Sequence, residues 1–213
     1  EAFARRHDVP RVHDTYEDAL ADPAVDAVYN PLPNGLHGRW TVAALDAGEH
    51  VLCEKPFTAN ADEAEAVAEV ARRSDRVVME AFHWRYHPMT ARILEIVGSG
   101  ELGELRHVAG AFCIPLPRRG DIRWSTPLAG GALMDTGCYP VHWLRTVVGT
   151  EPAVTAARSW EGWGGVDRAT IAELRFPAPT GASAGPTGAI TCSMWSRRLA
   201  AIWLRIEGTE GTL

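Results

Sequence analysis

Apolar and polar positions alternate along this chain in two distinct regimes. Up to about residue 82, short apolar runs are separated by stretches of helical period. Residues 1 to 7 are predicted as the end of a helix, Val9 to Val12 as a short strand or connection, and Thr15 to Ala21 as one or two helical turns. Val25 to Asn30 forms an apolar strand closed by the breaker run Pro31-Leu32-Pro33-Asn34. A helix follows with Trp40, Ala43, Ala44 and Ala47 on one face and Gly48 as its C-terminal cap. His50 to Glu54 is a second strand, ended by Lys55-Pro56. The next helix opens at Asn60 with Glu63 as its capping-box partner and Ala64, Val67, Ala68 and Ala71 as its buried stripe. Val77 to Phe82 is a third strand. Strand and helix in this alternation predict βαβ units and a parallel sheet.

The second regime is different. A helix from Pro88 to Val97 ends at Gly98-Ser99-Gly100, and Leu105 to Ile114 is a strand. A loop rich in Arg and Pro runs from Pro115 to Pro127. Gly130 and Gly131 lead into a helix over about Leu133 to Val148, and three strands are expected near 168–176, 188–196 and 201–207. In the last, Ile202, Leu204 and Ile206 alternate with Trp203, Arg205 and Glu207, the pattern of a half-buried antiparallel strand. Gly208-Thr209-Glu210-Gly211 is a hairpin turn. The predicted fold is therefore α/β: a truncated Rossmann-type parallel sheet in residues 1–82, then an α+β domain with an open, mainly antiparallel sheet in residues 83–213. No glycine-rich GxGxxG turn precedes Val25, and this is read as truncation, since the chain begins inside a helix.

Composition narrows the classes. A formal net charge of −6 disfavours nucleic acid or an anionic membrane surface as partner. No apolar run approaches the roughly 20 residues of a membrane span. The four cysteines, Cys53, Cys113, Cys138 and Cys192, have no paired spacing, which suits buried thiols in a reducing cytoplasm and argues against a zinc site. One bias is sharper. Lys55 is the single lysine in a chain whose Lys+Arg total is 21. Arg stays protonated at any ordinary pH, whereas a partly buried Lys amine exchanges its proton near neutrality.

Open parallel sheets bind ligands at the carboxyl ends of their strands. Two such ends carry Pro31 to His37 and Glu54-Lys55-Pro56, so topology and composition single out Lys55 independently. A second cluster is Gly130 to Tyr139, where Asp135 and Tyr139 lie four apart on one helix face with His142 close to it. For that cluster a plainer reading stays open, with Asp135 as a helix cap and Tyr139 as core.

Five blocks carry a resemblance: Val28 to His37 (VYNPLPNGLH), Gly48 to Pro56 (GEHVLCEKP), Met79 to Pro88 (MEAFHWRYHP), Gly130 to Tyr139 (GGALMDTGCY) and Gly208 to Gly211. In order and spacing they resemble the Gfo/Idh/MocA oxidoreductases, most of all the branch of dihydrodiol and NADP-dependent xylose dehydrogenases. The resemblance implies hydride transfer between NAD or NADP and the hydroxyl-bearing carbon of a sugar or vicinal diol. It implies Lys55, Asp135 and Tyr139 as the catalytic set, Tyr139 standing where inositol dehydrogenases place His. Pro33, Asn34, His37, Glu54, Pro56, Trp84 and Arg85 are implied at the cofactor, with a cis peptide bond before Pro56, and Arg123 and His142 on the substrate side. No metal is expected. A homo-oligomer built on the open sheet is expected of the full-length protein. Of the family pattern, this sequence lacks the glycine-rich turn, the residue that selects NAD or NADP, and the closing strands of the second sheet. Alternatives of the same fold are an NAD-dependent glycoside hydrolase, a non-catalytic nucleotide-binding relative, or an inactive fragment. Arg118 and Arg119, with Arg123, hint at a polar or anionic substrate group, or else at a solvated loop.

Overall fold

The computed structural model describes residues 2–116, 120–179, 181, 184–196 and 200–213. The chain divides into two compact units, Glu1–Ala81 and Phe82–Leu213.

The first unit is built on three short strands, β1 (Ala27–Asn30), β2 (His50–Cys53) and β3 (Val78–Glu80), in the order β1-β2-β3. Both pairings are parallel, with Ala27 opposite His50 and Val51 opposite Val78. Two short helices come first, α1 (Ala2–Arg6) and α2 (Tyr16–Leu20). The crossovers are α3 (His37–Ala47) and α4 (Ala61–Arg73). Local chemistry fixes their ends. Gly48 closes α3 at φ 91°, a left-handed conformation that costs glycine nothing. The Asn60 side chain accepts from the Glu63 amide at 2.9 Å, while the Glu63 carboxylate reaches back to the Ala59 amide at 2.7 Å. Ala44, Leu45, Val51 and Cys53 form the core beneath these helices.

Of the two readings of Val9 to Val12, the structure shows the connection. One expectation for this unit changes. The buried face of α3 is His37, Gly38, Thr41, Ala44 and Leu45, rotated from the predicted stripe. Trp40 instead meets Tyr16 of α2 edge-on at 4.8 Å, so a large apolar residue is satisfied at the rim while small ones pack on the sheet.

Among the described residues the second unit carries five strands, β4 (Leu105–Cys113), β5 (Ala153–Glu161), β6 (Asp167–Arg175), β7 (Thr187–Ser193) and β8 (Ala201–Gly208), in the order β5-β6-β7-β4-β8. The sheet is mixed: β4 runs parallel to β7, and the other three pairings are antiparallel. Helices α5 (Pro88–Ser99) and α6 (Cys138–Val148) complete the unit. Leu144, Trp143 and Val147 of α6 are buried with Val108, Leu174, Ile190 and Ile206 of the sheet. The other face is open, and Ile171 and Trp203 remain 41% and 46% exposed there. Ile206 and Leu213 exchange backbone hydrogen bonds at 2.9 Å across the Gly208 to Gly211 turn.

The residue pattern does not predict strand β5. It lies at the sheet edge and is exposed at nearly every position. Without a buried face it has no apolar alternation to betray it.

Candidate active site

In the first unit, the carboxyl ends of three parallel strands bring Asn30, Glu54 and Glu80 to one edge of the sheet. The loop after β1 is shaped by Asn30. Its amide nitrogen donates to the His37 carbonyl at 3.1 Å and to Thr41 Oγ1 at 3.3 Å, while its Oδ1 accepts from the Leu32 amide at 3.4 Å. His37 is completely buried. Its Nδ1 lies 2.7 Å from the Pro56 carbonyl oxygen and its Nε2 2.6 Å from that of Leu32. The imidazole thus ties the loop carrying Pro33 and Asn34 to the loop carrying Lys55, and the ring itself has no exposed surface. Pro33 precedes the short 3-10 turn Asn34–Leu36, and both Pro33 and Asn34 are half-buried.

The loop after β2 holds Glu54, Lys55 and Pro56, and the Lys55–Pro56 peptide is cis. Lys55 is half-buried. Glu54 accepts from the Tyr29 hydroxyl at 2.6 Å and from the Lys55 amide at 3.2 Å. The hydrogen bond to Glu54 raises the Tyr29 phenol above its ordinary range, with burial and the carboxylate's charge acting the same way. A carboxylate has about four lone-pair sites, so Glu54 keeps acceptor capacity for hydroxyl groups such as those of a ribose. Glu80, at the end of β3, accepts from the Phe57 amide at 2.8 Å and braces the segment after Pro56. His37 and Glu80 therefore grip the Lys55 loop from two sides.

In the second unit, Asp135 sits in a π-helical turn, Leu133–Gly137, that runs directly into α6. The single α-helix expected there is thus two pieces. A π turn widens the backbone and is found disproportionately at functional sites. Asp135 is not a helix cap. It pairs with Arg123, Nε to Oδ1 3.1 Å, and Arg123 also reaches Asp121 at 3.1 Å. Burial pulls the Arg123 guanidinium down, but Asp135 and Asp121 outweigh it and its pKa is raised. The Asp135 side chain is only 12% exposed, so the ion pair is partly shielded from water.

The π turn has a second anchor that sequence reasoning missed. Asp167 Oδ2 accepts from the Leu133 amide at 3.0 Å and from Thr170 Oγ1 at 2.6 Å. Gly131, at φ 119°, makes room for it: a Cβ there would lie 2.3 Å from Asp167 Oδ1. The glycine pair before the turn was the available signal, but nothing in the sequence names its partner 36 positions on.

Tyr139 is half-buried among aromatic rings, with centroids 5.5 Å to Phe82 and 4.8 Å to Phe112 in edge-on arrangements. His142 stacks on Phe82 at 4.1 Å and meets Trp84 edge-on at 5.3 Å. Burial pushes the His142 imidazole down to about 4, and the guanidinium groups of Arg85 and Arg145 act in the same direction. At neutral pH it is an uncharged ring. Trp84 leaves its buried Nε1 without a hydrogen-bond partner among the described residues. Arg85 is exposed. Arg118 and Arg119 lie outside the described residues. No group of three or more His, Cys, Asp or Glu suited to a metal ion occurs among the described residues.

A parallel sheet with polar loops at its strand ends, followed by a mixed sheet with one open face, is the architecture of two-domain dinucleotide-dependent oxidoreductases. Residues 1–82 match the model described as oxidoreductase family, NAD-binding Rossmann fold, and residues 90–213 match the GFO/IDH/MocA C-terminal domain. The chain belongs to the Gfo/Idh/MocA oxidoreductase family. It is 40% identical over 213 residues to D-xylose 1-dehydrogenase (NADP(+)) 2 of Haloferax volcanii, covering 100% of this chain and 63% of that protein. It is 32% identical to trans-1,2-dihydrobenzene-1,2-diol dehydrogenase of Sus scrofa, over 98% of this chain and 60% of that one. Among solved structures, a 3-ketoreductase from Actinomadura kijaniata in complex with NADP and TDP-benzene superimposes with a TM-score of 0.88 at 32% identity, covering 99% of this chain and 62% of that chain. The chain thus spans less than two thirds of each of these relatives.

Proposed function

We propose that the protein transfers a hydride between NAD or NADP and the hydroxyl-bearing carbon of a sugar or vicinal diol. One observation carries this reading: the single lysine stands at the carboxyl end of a parallel strand, in a loop braced by His37 and Glu80. The family and the dehydrogenase activities of its relatives favour the same reaction class.

The residues present suit a dinucleotide. Pro33, Asn34 and Pro56 edge the strand ends, Glu54 offers acceptor oxygens to ribose hydroxyls, and His37 fixes the two loops without facing the ligand. Trp84 and Arg85 are assigned to the nicotinamide side. When bound, the nicotinamide supplies the hydride acceptor. The chain's own task is the proton. Lys55 and Tyr139 are the groups whose protons can move, and we assign them to take the hydroxyl proton as the carbon loses its hydride. Asp135, held by Arg123 and by the π turn, orients the substrate hydroxyl. Arg123 acts on the substrate through Asp135, since its guanidinium is already engaged by two carboxylates. His142, uncharged, offers an apolar, weakly accepting wall. The exposed Ile171 and Trp203 favour a homo-oligomer formed through the open sheet.

The test is direct. Full-length protein is mixed with NAD or NADP and a panel of aldoses and diols, and absorbance is followed in the reduced nicotinamide band. Net reduction is expected. Sugar release without net reduction, or no turnover by a folded, cofactor-saturated protein, would overturn the assignment.

A further inference from the structure

The second unit has another concave feature, a cleft of about 230 Å³ lined by Trp124, Glu161, Gly162, Trp163, Arg168 and Trp195. Its walls are aromatic. Trp163 meets Trp124 edge-on at 5.1 Å and Trp195 edge-on at 5.0 Å. A cluster of tryptophans that served only as core would be closed to solvent, yet Trp195 is 45% exposed and Trp163 is partly so. The rim is charged, with an exposed carboxylate at Glu161 and a half-buried guanidinium at Arg168. Flat apolar surface edged by one strong acceptor and five fixed donors matches a pyranose ring, whose axial C–H groups form an apolar face and whose hydroxyls point outward. The volume is below the 300 Å³ or so of pockets for larger ligands, which fits one sugar ring.

The cleft is rigidly built. The turn between β5 and β6 is pressed onto Trp124: a Cβ on Gly162 would lie 2.6 Å from the Trp124 ring, and one on Gly164 would lie 1.8 Å from the Trp124 carbonyl oxygen. Thr126 Oγ1 donates to the Gly164 carbonyl at 2.5 Å, and the Gly162 amide donates to the Val166 carbonyl at 2.7 Å. Trp124 is locked in turn by its indole N–H, which donates to the Leu116 carbonyl at 3.1 Å. A site ordered before its ligand arrives loses less entropy on binding.

Its place in the unit gives it a role. At two separate points consecutive residues serve both the π turn and the cleft. Arg123 pairs with Asp135 and the next residue, Trp124, forms the cleft's inner wall. Asp167 holds the Leu133 amide and the next residue, Arg168, forms the rim. We propose that this cleft binds the second, non-reacting pyranose ring of a disaccharide or glycoside whose first ring is the one oxidised. The role, though not the binding, rests on the oxidoreductase reading above.

Binding is therefore measured without turnover. Saturation-transfer NMR on full-length protein compares cellobiose, glucose and uridine, in wild type and in Trp195→Ala and Arg168→Gln variants checked for native circular dichroism. Cellobiose is expected to receive saturation on both rings, and each variant to lose it selectively on one. The ratio of kcat/KM for cellobiose over glucose should fall about three- to tenfold in Trp195→Ala, the worth of one aromatic contact. Equal saturation of both rings in folded variants would overturn the proposal, as would preferential binding of uridine. Ring-selective binding in a protein that never reduces the cofactor would keep the cleft as a sugar site and reject the oxidoreductase reading instead.

Discussion

His142 offers a test of the second unit's electrostatics that needs no substrate. The ring lies on Phe82 and against Trp84, and burial with Arg85 and Arg145 lowers its pKa from 6.5 to about 4. In the unfolded chain the imidazole returns to its ordinary value, so below pH 6.5 the unfolded state binds a proton that the folded state refuses. The folded pKa is the depressed one, hence the stability tied to neutral His142 is complete above pH 6.5 and is lost as pH falls towards 4. At pH 5 the linkage integral gives a loss of about 2 kcal/mol relative to neutral pH, and about 3 kcal/mol once both states are protonated. That is a sizeable part of the roughly 5–15 kcal/mol that holds a domain together. The perturbation is His142→Phe, which keeps a flat ring between Phe82 and Trp84 but cannot titrate. Urea unfolding at pH 7.5, 6, 5 and 4.5 should show stability falling less steeply in the variant, by about 2 kcal/mol at pH 5. The wild-type imidazole Hε1 resonance, followed by NMR, should titrate near 4. A His142 midpoint at 6 or above, or identical pH slopes in the two proteins, would refute the account of its burial.

Four further outcomes are expected. In the full-length protein Lys55→Arg should retain the charge yet lose most turnover, because Arg cannot exchange a proton at working pH; steady-state kcat with near-normal values would remove Lys55 from the proton path. Tyr139→Phe should lower kcat by about 10²-fold to 10⁴-fold, the usual reach of general acid–base help, with a changed pH–rate profile as the readout that mere packing would not produce. Arg123→Ala should remove the ion pair to Asp135 and alter the pH dependence of kcat/KM, while Arg123→Lys should restore it only in part, since the guanidinium holds two carboxylates at once. Burial pushes the thiols of Cys53 and Cys192 up to about 11 and about 12, so neither should react with iodoacetamide at pH 8 in the folded protein, and mass spectrometry of native and urea-treated samples checks this.

Sequence alone determined those features that depend on near neighbours or on periodicity. The βαβ order of the first unit follows from short apolar runs alternating with helical stretches. The Asn60 capping box and the Gly48 cap are local hydrogen-bonding and φ requirements, and the structure displays both. Lys55 stood out because a lone lysine among arginines is visible without any fold, and the end of a parallel strand is inferable from order alone. Tertiary structure decided whatever depends on residues remote in the chain. The edge strand β5 has no buried face and hence no pattern, so only pairing with β6 reveals it. The π turn at Asp135 is held by Asp167 and Arg123, and its widened backbone has no periodic signature. The family resemblance implies His37 at the cofactor, whereas in the fold two carbonyl oxygens from different loops flank its buried ring and make it a strut between them. Periodicity is a property of the chain, while the partners that satisfy a buried polar group are a property of the fold.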